Sequence, residues 1–187
     1  MSNIELIVFL TAEVFLVFVV HELGHLLAAR YFGVRVLNIS VGVGPEIVGL
    51  TDQFGTRWSL AVIPFGSYIK MIDKEQSSKS ASAIARAEIG KKSESLSSRS
   101  RAQRAAIYGA GSAANILVAP AIYELGQLYF VGNLAWPSAI DPSSIMALGC
   151  GLYCLSVGVF NLLPIPLHDG GKLVALGLEW FRGIKTS

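Results

Sequence analysis

"VFVVHELGHLLAARYF", residues 17–32, sets two histidines and a glutamate inside a run otherwise made for lipid. Ionisable groups beside the apolar segment Val14 to Val20 carry a desolvation cost, and at membrane depth such residues mark functional sites by default. On a helix, His21-Glu22-Leu23-Gly24-His25 is the pattern H-E-x-x-H. It brings both imidazoles to one face one turn apart, spaced to bind Zn²⁺, with Glu22 beside the open coordination position as a general base toward water. The ordinary alternative is a chance match on a soluble surface helix. An apolar setting argues against it, because two histidines and a glutamate in lipid need a compensating partner.

Composition agrees with that setting. The chain has 187 residues, 52% of them hydrophobic and only 15% charged, with a mean hydropathy of +0.54. That is far more apolar than an ordinary soluble domain and reads as an α-helical integral membrane protein forming one compact unit. Cys150 and Cys154 lie in an apolar run without a second pair at zinc-finger spacing, so they read as small core residues. A net charge of +2 excludes a strongly basic nucleic-acid binder.

Three stretches can span a hydrocarbon core, which needs about twenty mostly apolar residues in helix: 4–30, 105–131 and 144–163. The first lacks the basic start and small-residue cleavage site of a signal peptide. All fifteen Lys and Arg fall between Arg30 and Arg104 or from Lys172 onward. By the positive-inside rule the middle segment and the C-terminus are cytoplasmic, while the N-terminus and the turn "GNLAWPSAIDP" with its interfacial Trp136 face outward. With the bilayer centre near Val14, a rise of about 1.5 Å per residue places His21 to His25 about 10 to 16 Å toward the cytoplasm.

Between the first two spans the chemistry changes twice. Over residues 34–71, Ile39, Val41 and Val43 alternate with Asn38, Ser40 and Gly42, and "LTDQFGTRW" supplies a turn before Leu60 to Ile63. That pattern predicts a small membrane-associated β-hairpin or sheet. Residues 72–103 turn to Ser, Lys, Glu and Ala, a cytoplasmic linker in which "SASAIARAEIG" could form a short amphipathic helix. In the second span Ala105, Gly109 and Ala113 recur four apart, spacing for close helix packing that would turn Asn115 toward a neighbour. Glu13 and Glu124 are further ionisable residues within spans and have no assigned task.

A catalytic zinc has three protein ligands, so a third must come from elsewhere. After His25 the metzincin G-x-x-H continuation is missing. The remaining candidates sit in "NLLPIPLHDGG", Asn161 to Gly171, within the proline-broken loop and C-terminal helix of 164–187. Irregular backbone at membrane depth is tolerated only where it is buried in protein or lines a wet cavity. Asp169 and His168 both could reach a metal. Asp169 could instead cap a helix before "GGKLVAL", and His168 could be a solvated loop residue.

H-E-L-G-H in a first span, G-x-x-x-N in a later one (Gly111 to Asn115), and N-L-L-P-I-P-x-x-D-G-G together resemble the site-2 protease family of intramembrane zinc metalloproteases. "PFGSYIKM" (Pro64 to Met71) and "QRAAIYGAGSAAN" (Gln103 onward) look like its bacterial branch, the one that includes the sigma-E-regulating protease. The resemblance implies zinc as cofactor, His21, His25 and Asp169 as its ligands, and Glu22 as catalytic base. It implies that Asn115 and Asn161 hold the substrate backbone near the metal. It also implies hydrolysis of a peptide bond in or near the transmembrane segment of a membrane protein, such as an anti-sigma factor or a remnant signal peptide, and a bacterial inner-membrane location. Family sheets of this kind dip into the membrane, where their edge could pair with an unwound substrate.

The likeness has departures. His168 stands where the family commonly has leucine, and Ser112 where it has proline. The short Trp136 turn occupies the place of the outward PDZ domains. Relatives run into a fourth span beyond the segment matching "EWFRGIKTS", which leaves a minimal form, or a helix supplied by a second copy or a partner subunit. A different class also fits the motifs: a catalytically silent zinc-binding protein that holds or escorts transmembrane helices.

Overall fold

The computed structural model describes residues 3–73, 94–131 and 142–183. In chain order they form α1 (Asn3–Tyr31), β1 (Val36–Thr51), β2 (Arg57–Met71), a 3₁₀ turn (Leu96–Ser98), α2 (Arg101–Phe130), α3 (Pro142–Asn161) and α4 (Asp169–Phe181). Among the described residues α1, α2 and α3 are long and apolar enough to cross a membrane. The chain is an integral membrane protein, mostly helical, with its sheet between the first and second spans. The Trp136 turn and the "SASAIARAEIG" helix expected from sequence lie outside the described residues.

α1 is largely apolar, and its second half is packed more fully than its first. Ile4, Ile7 and Val8 are exposed, whereas Val17, His21, His25 and Ala29 are buried at intervals of four. Such spacing lines one face of a helix, and that face meets α2. Contact is close because Gly24 has no side chain: a Cβ there would lie 2.5 Å from the Ala110 carbonyl oxygen and 2.8 Å from Ala114 Cβ. The near approach therefore runs through Gly24, Ala110 and Ala114. The Ala105, Gly109 and Ala113 row does not make it, and Ala113 is exposed. Both rows offer small side chains at the same period, and only the partner's surface decides between them.

α1 stops at Gly33, whose φ of +69° suits glycine. The Val34 amide donates to the Ala29 carbonyl at 2.8 Å and the Gly33 amide to the Arg30 carbonyl at 3.0 Å, a Schellman closure. Val34, 2% exposed, then enters a core with Leu26, Ala29, Val36, Ile39, Leu96 and Ile107. This core fixes the C-terminal end of α1 against the sheet and the start of α2. A second core, of Val17, Ala119, Ile122, Cys150 and Cys154, joins the three spans. Both cysteines are free and buried.

β1 and β2 pair antiparallel, with irregularities that bend both strands. The first half of β1 lies beside both halves of β2, Ile39 opposite Ile69 on one side and Trp58 on the other. The turn between the strands is organised by Asp52, whose Oδ1 accepts from the Phe54 and Thr56 amides, each at 2.9 Å. Its Oδ2 accepts from Arg30 at 2.6 Å and Trp58 Nε1 at 3.1 Å, tying the hairpin to the end of α1. Partial burial works against the charge, yet these four donors hold the carboxyl down at about 2.

α2 begins with a capping box between Ser100 and Gln103, which satisfies free amides at its first turn. α4 is short and packs on α2 through an Arg104–Glu179 ion pair at 3.1 Å. Glu13 is buried within α1, and Glu124 on α2 is exposed.

Candidate metal centre

Helix α1 presents His21 and His25, four residues and one turn apart, into the space between α2 and the start of α4. Asp169 arrives from the opposite side. The loop Leu162 to His168 folds under α4, and Gly170 packs so tightly on the Leu162 carbonyl that a Cβ would overlap it. His168, not Asp169, is the N-cap of α4, and Asp169 occupies the first helical position, where its charge also suits the helix dipole. The cap alternative for Asp169 is therefore corrected: its side chain turns inward to the two imidazoles.

Three ligand atoms converge. His21 Nε2 lies 3.2 Å from His25 Nε2, and Asp169 Oδ2 lies 3.2 Å from the first and 3.1 Å from the second. All three residues are buried, and they are the one such group among the described residues that could hold a metal. Ligands about 2.0–2.1 Å from a tetrahedral zinc stand ~3.3 Å apart. The triangle matches that spacing, and its donors, two imidazoles and a carboxylate, are a catalytic zinc set.

The surroundings orient these donors. His25 Nδ1 lies 2.8 Å from the Ile107 carbonyl, which can only accept, so Nδ1 carries a hydrogen, and in the neutral ring this leaves the Nε2 lone pair for a metal. Asn115 is fully buried, with Nδ2 at 3.4 Å from His21 Nδ1. Its Oδ1 has no hydrogen-bond partner among the described residues. Turning this amide over lets Oδ1 accept from a protonated Nδ1, the tautomer that frees His21 Nε2 for a metal. Ser112 donates to Asp169 Oδ2 at 3.1 Å, and Lys172 to Oδ1 at 3.3 Å. A Cβ on Gly111 would fall on His25 Nε2 and 2.9 Å from His21 Cε1. The glycine of G-x-x-x-N therefore makes room for both imidazoles.

A cleft of about 810 Å³ opens on the centre, lined by His21, Glu22, His25, Ser67, Asn161 and His168 among others. Glu22 is 3% exposed. Its Oε1 accepts from Ser67 at 2.6 Å, and its Oε2 has no partner among the described residues. Asn161 donates back to the Val157 carbonyl at 2.9 Å. His168 lies edge-on to Phe160 with ring centroids 5.1 Å apart. A second pocket of about 530 Å³ reaches His25 and Lys172 from the side of Lys70 and Asp73. Sequence reasoning missed Ser67, the Ile107 carbonyl and Lys172. Ser112 was noticed only as a departure from proline.

Comparison with known proteins agrees with this geometry. The model of Peptidase family M50 matches residues 9–144, more than half of the chain, including H-E-L-G-H and Gly111 to Asn115. A protein named as a zinc metalloprotease in Agrobacterium fabrum is 40% identical over 108 residues, 57% of this chain and 29% of its own length. One so named in Rickettsia conorii is 31% identical over 152 residues, 77% of this chain and 41% of its own. The regulator of sigma-E protease RseP of Salmonella typhimurium is 38% identical over 129 residues, 68% of this chain and 27% of its own. The chain spans about a third of the length of these relatives. With its buried His21, His25 and Asp169 and a family match running through two of the three spans, the chain belongs to Peptidase family M50, the site-2 protease family.

Proposed function

We propose that this chain carries the catalytic core of an intramembrane zinc endopeptidase that hydrolyses a peptide bond in or near the transmembrane segment of a membrane protein. The observation that carries the reading is Glu22: a buried carboxylate beside the ligand triangle, with one oxygen held by Ser67 and the other unpartnered among the described residues. His21, His25 and Asp169 hold the zinc. When bound, zinc supplies Lewis acidity, acidifying a water molecule and polarising a carbonyl oxygen. Glu22 Oε2 takes the proton from the water as it attacks the scissile carbon and returns it to the leaving amine.

The substrate must be extended before its backbone can be attacked, since a helical peptide bond is shielded. Among the described residues Ser67 to Met71 pair only with Val36 to Val41, and Gly66 to Ile69 line the cleft. An unwound segment lying there recovers, by edge pairing, the hydrogen bonds it loses. Asn161, in the cleft wall, is placed to take a further backbone group, and Asn115 acts behind His21 as well as on substrate. Water enters through the second pocket. The positive-inside distribution supports an outward N-terminus and a cytoplasmic C-terminus in a bacterial inner membrane, and an anti-sigma factor or remnant signal peptide is the substrate class.

The test is Glu22→Gln beside wild type, each reconstituted in lipid with equal zinc content and a model transmembrane substrate. Loss of cleavage by at least about 100-fold is expected for removal of a general base. Equal processing by both forms would abandon the protease reading for a zinc-binding holder of helices.

A further inference from the structure

Ser67 sits just past Gly66, whose φ of +87° kinks β2 at the mouth of the cleft. From that kink the hydroxyl reaches Glu22 Oε1 at 2.6 Å across 45 positions of sequence. The length is that of a charge-assisted O–H···O⁻ bond, about twice as strong as a neutral one. A carboxylate has two equivalent oxygens, which exchange by rotation about its terminal bond. A hydroxyl has one hydrogen to give, so it pins one oxygen and leaves the other presented. Buried Oε2 is that other oxygen, unpartnered among the described residues.

Ser67 also belongs to the strand segment whose sole pairing among the described residues is with Val36 to Val41. Its backbone is thus on the edge where an extended chain would lie, while its side chain is on the base. No other described side chain bonds to Glu22.

We infer that Ser67 is a positioning residue: its hydroxyl fixes the rotamer of Glu22 so that Oε2 meets the attacking water, and its place on β2 links substrate engagement at the sheet edge to the readiness of the base. The inference rests on Glu22 being the base. The link needs only the hydroxyl, so Ala at 67 removes it while leaving the backbone edge intact.

Two readouts decide it, both on the full chain in lipid. The first needs neither metal nor turnover. In metal-free protein, the infrared band of the Glu22 carboxyl, identified as the one lost in Glu22→Gln, is expected to shift in Ser67→Ala and return in Ser67→Thr; an unmoved band overturns the inference. The second is hydrolysis of a fluorogenic transmembrane-helix peptide with zinc restored. Ser67→Ala is expected to lower kcat about tenfold with KM within about twofold of wild type, Ser67→Thr to recover most of it, and Ser67→Ala to add nothing to Glu22→Gln. A raised KM with unchanged kcat overturns it, as Ser67 then binds substrate. Loss of zinc in Ser67→Ala also overturns it, as the residue is then a structural prop. Full activity in Glu22→Gln removes the base reading itself, whereas an inactive Glu22→Gln beside a fully active Ser67→Ala removes only the role of Ser67.

Discussion

Two kinds of backbone deliver the ligand atoms of this centre, and they place different demands on the sequence. His21 and His25 ride on one continuous helix, whose period alone puts their rings together. Asp169 comes from the end of a proline-broken loop, and nothing local aims it. Its position depends on Gly170 against Leu162, on the Ser112 hydroxyl and on Lys172. The helical half is built by short-range geometry, and the loop half is built by packing.

The sharpest way to break this comparison is to remove the loop ligand. Asp169→Ala is expected to weaken zinc binding by more than about 100-fold, beyond what loss of a supporting hydrogen bond costs. His168→Ala should stay within a few-fold of wild type. Metal analysis after equilibrium dialysis reads both, and the reverse pattern would move the third ligand to His168. Gly111→Ala comes next. Its Cβ meets both imidazoles, so zinc should be lost although every ligand is still present, with a stability cost of about 1–3 kcal/mol from overpacking. Retained zinc there would mean that α1 and α2 can separate freely.

Much of the helical half was legible. H-E-x-x-H, the three apolar runs and the alternating Ile39, Val41 and Val43 all obey local periods, and each became the element those periods specify. What was not legible has a common physical form. Ser67 meets Glu22 across 45 positions, Ser112 meets Asp169 across 57, and the Ile107 carbonyl meets His25 across 82. A serine on a strand or a backbone carbonyl has no signature until the fold brings its partner alongside. The small-residue row shows the same limit, since the Ala105 period was as good as the one that Gly24 meets. Asp169 was legible as a candidate, but its place one residue inside the helix was not, because His and Asp both occur at helix starts.

A gentler probe sharpens the contrast within α4 itself. Gly170→Ala drives a Cβ into the Leu162 carbonyl, whereas a Cβ on Gly177 meets nothing within 4 Å among the described residues. The first should lower Tm and loosen zinc. The second should raise stability by up to about 1 kcal/mol, the gain of Ala over Gly within a helix. Thermal melts with and without a chelator separate the two.

The smallest effect concerns the hairpin's anchor, which is not among the ligand residues. The carboxyl of Asp52 is lowered from 3.8 to about 2, so the unfolded chain holds that proton more tightly than the folded one. Its stabilisation is present above the unfolded value and is lost as pH falls through about 2. In chelator, Asp52→Asn is expected to melt a few degrees below wild type at neutral pH and to converge with it near pH 2. A constant gap across that window would mean that the aspartate contributes shape and not charge.

Asp169 divides its oxygens, Oδ2 toward the imidazoles and Oδ1 toward the Lys172 ammonium. A carboxylate so engaged gives a cation one atom and not a chelating pair. Calcium, which gathers about six to eight oxygens, would find itself starved among two nitrogens and one oxygen. A small cation content with few donors is suited by the same scarcity. With a metal bound, the lysine beside the aspartate would act on ion choice through denticity, holding back one oxygen so that size and coordination number do the selecting.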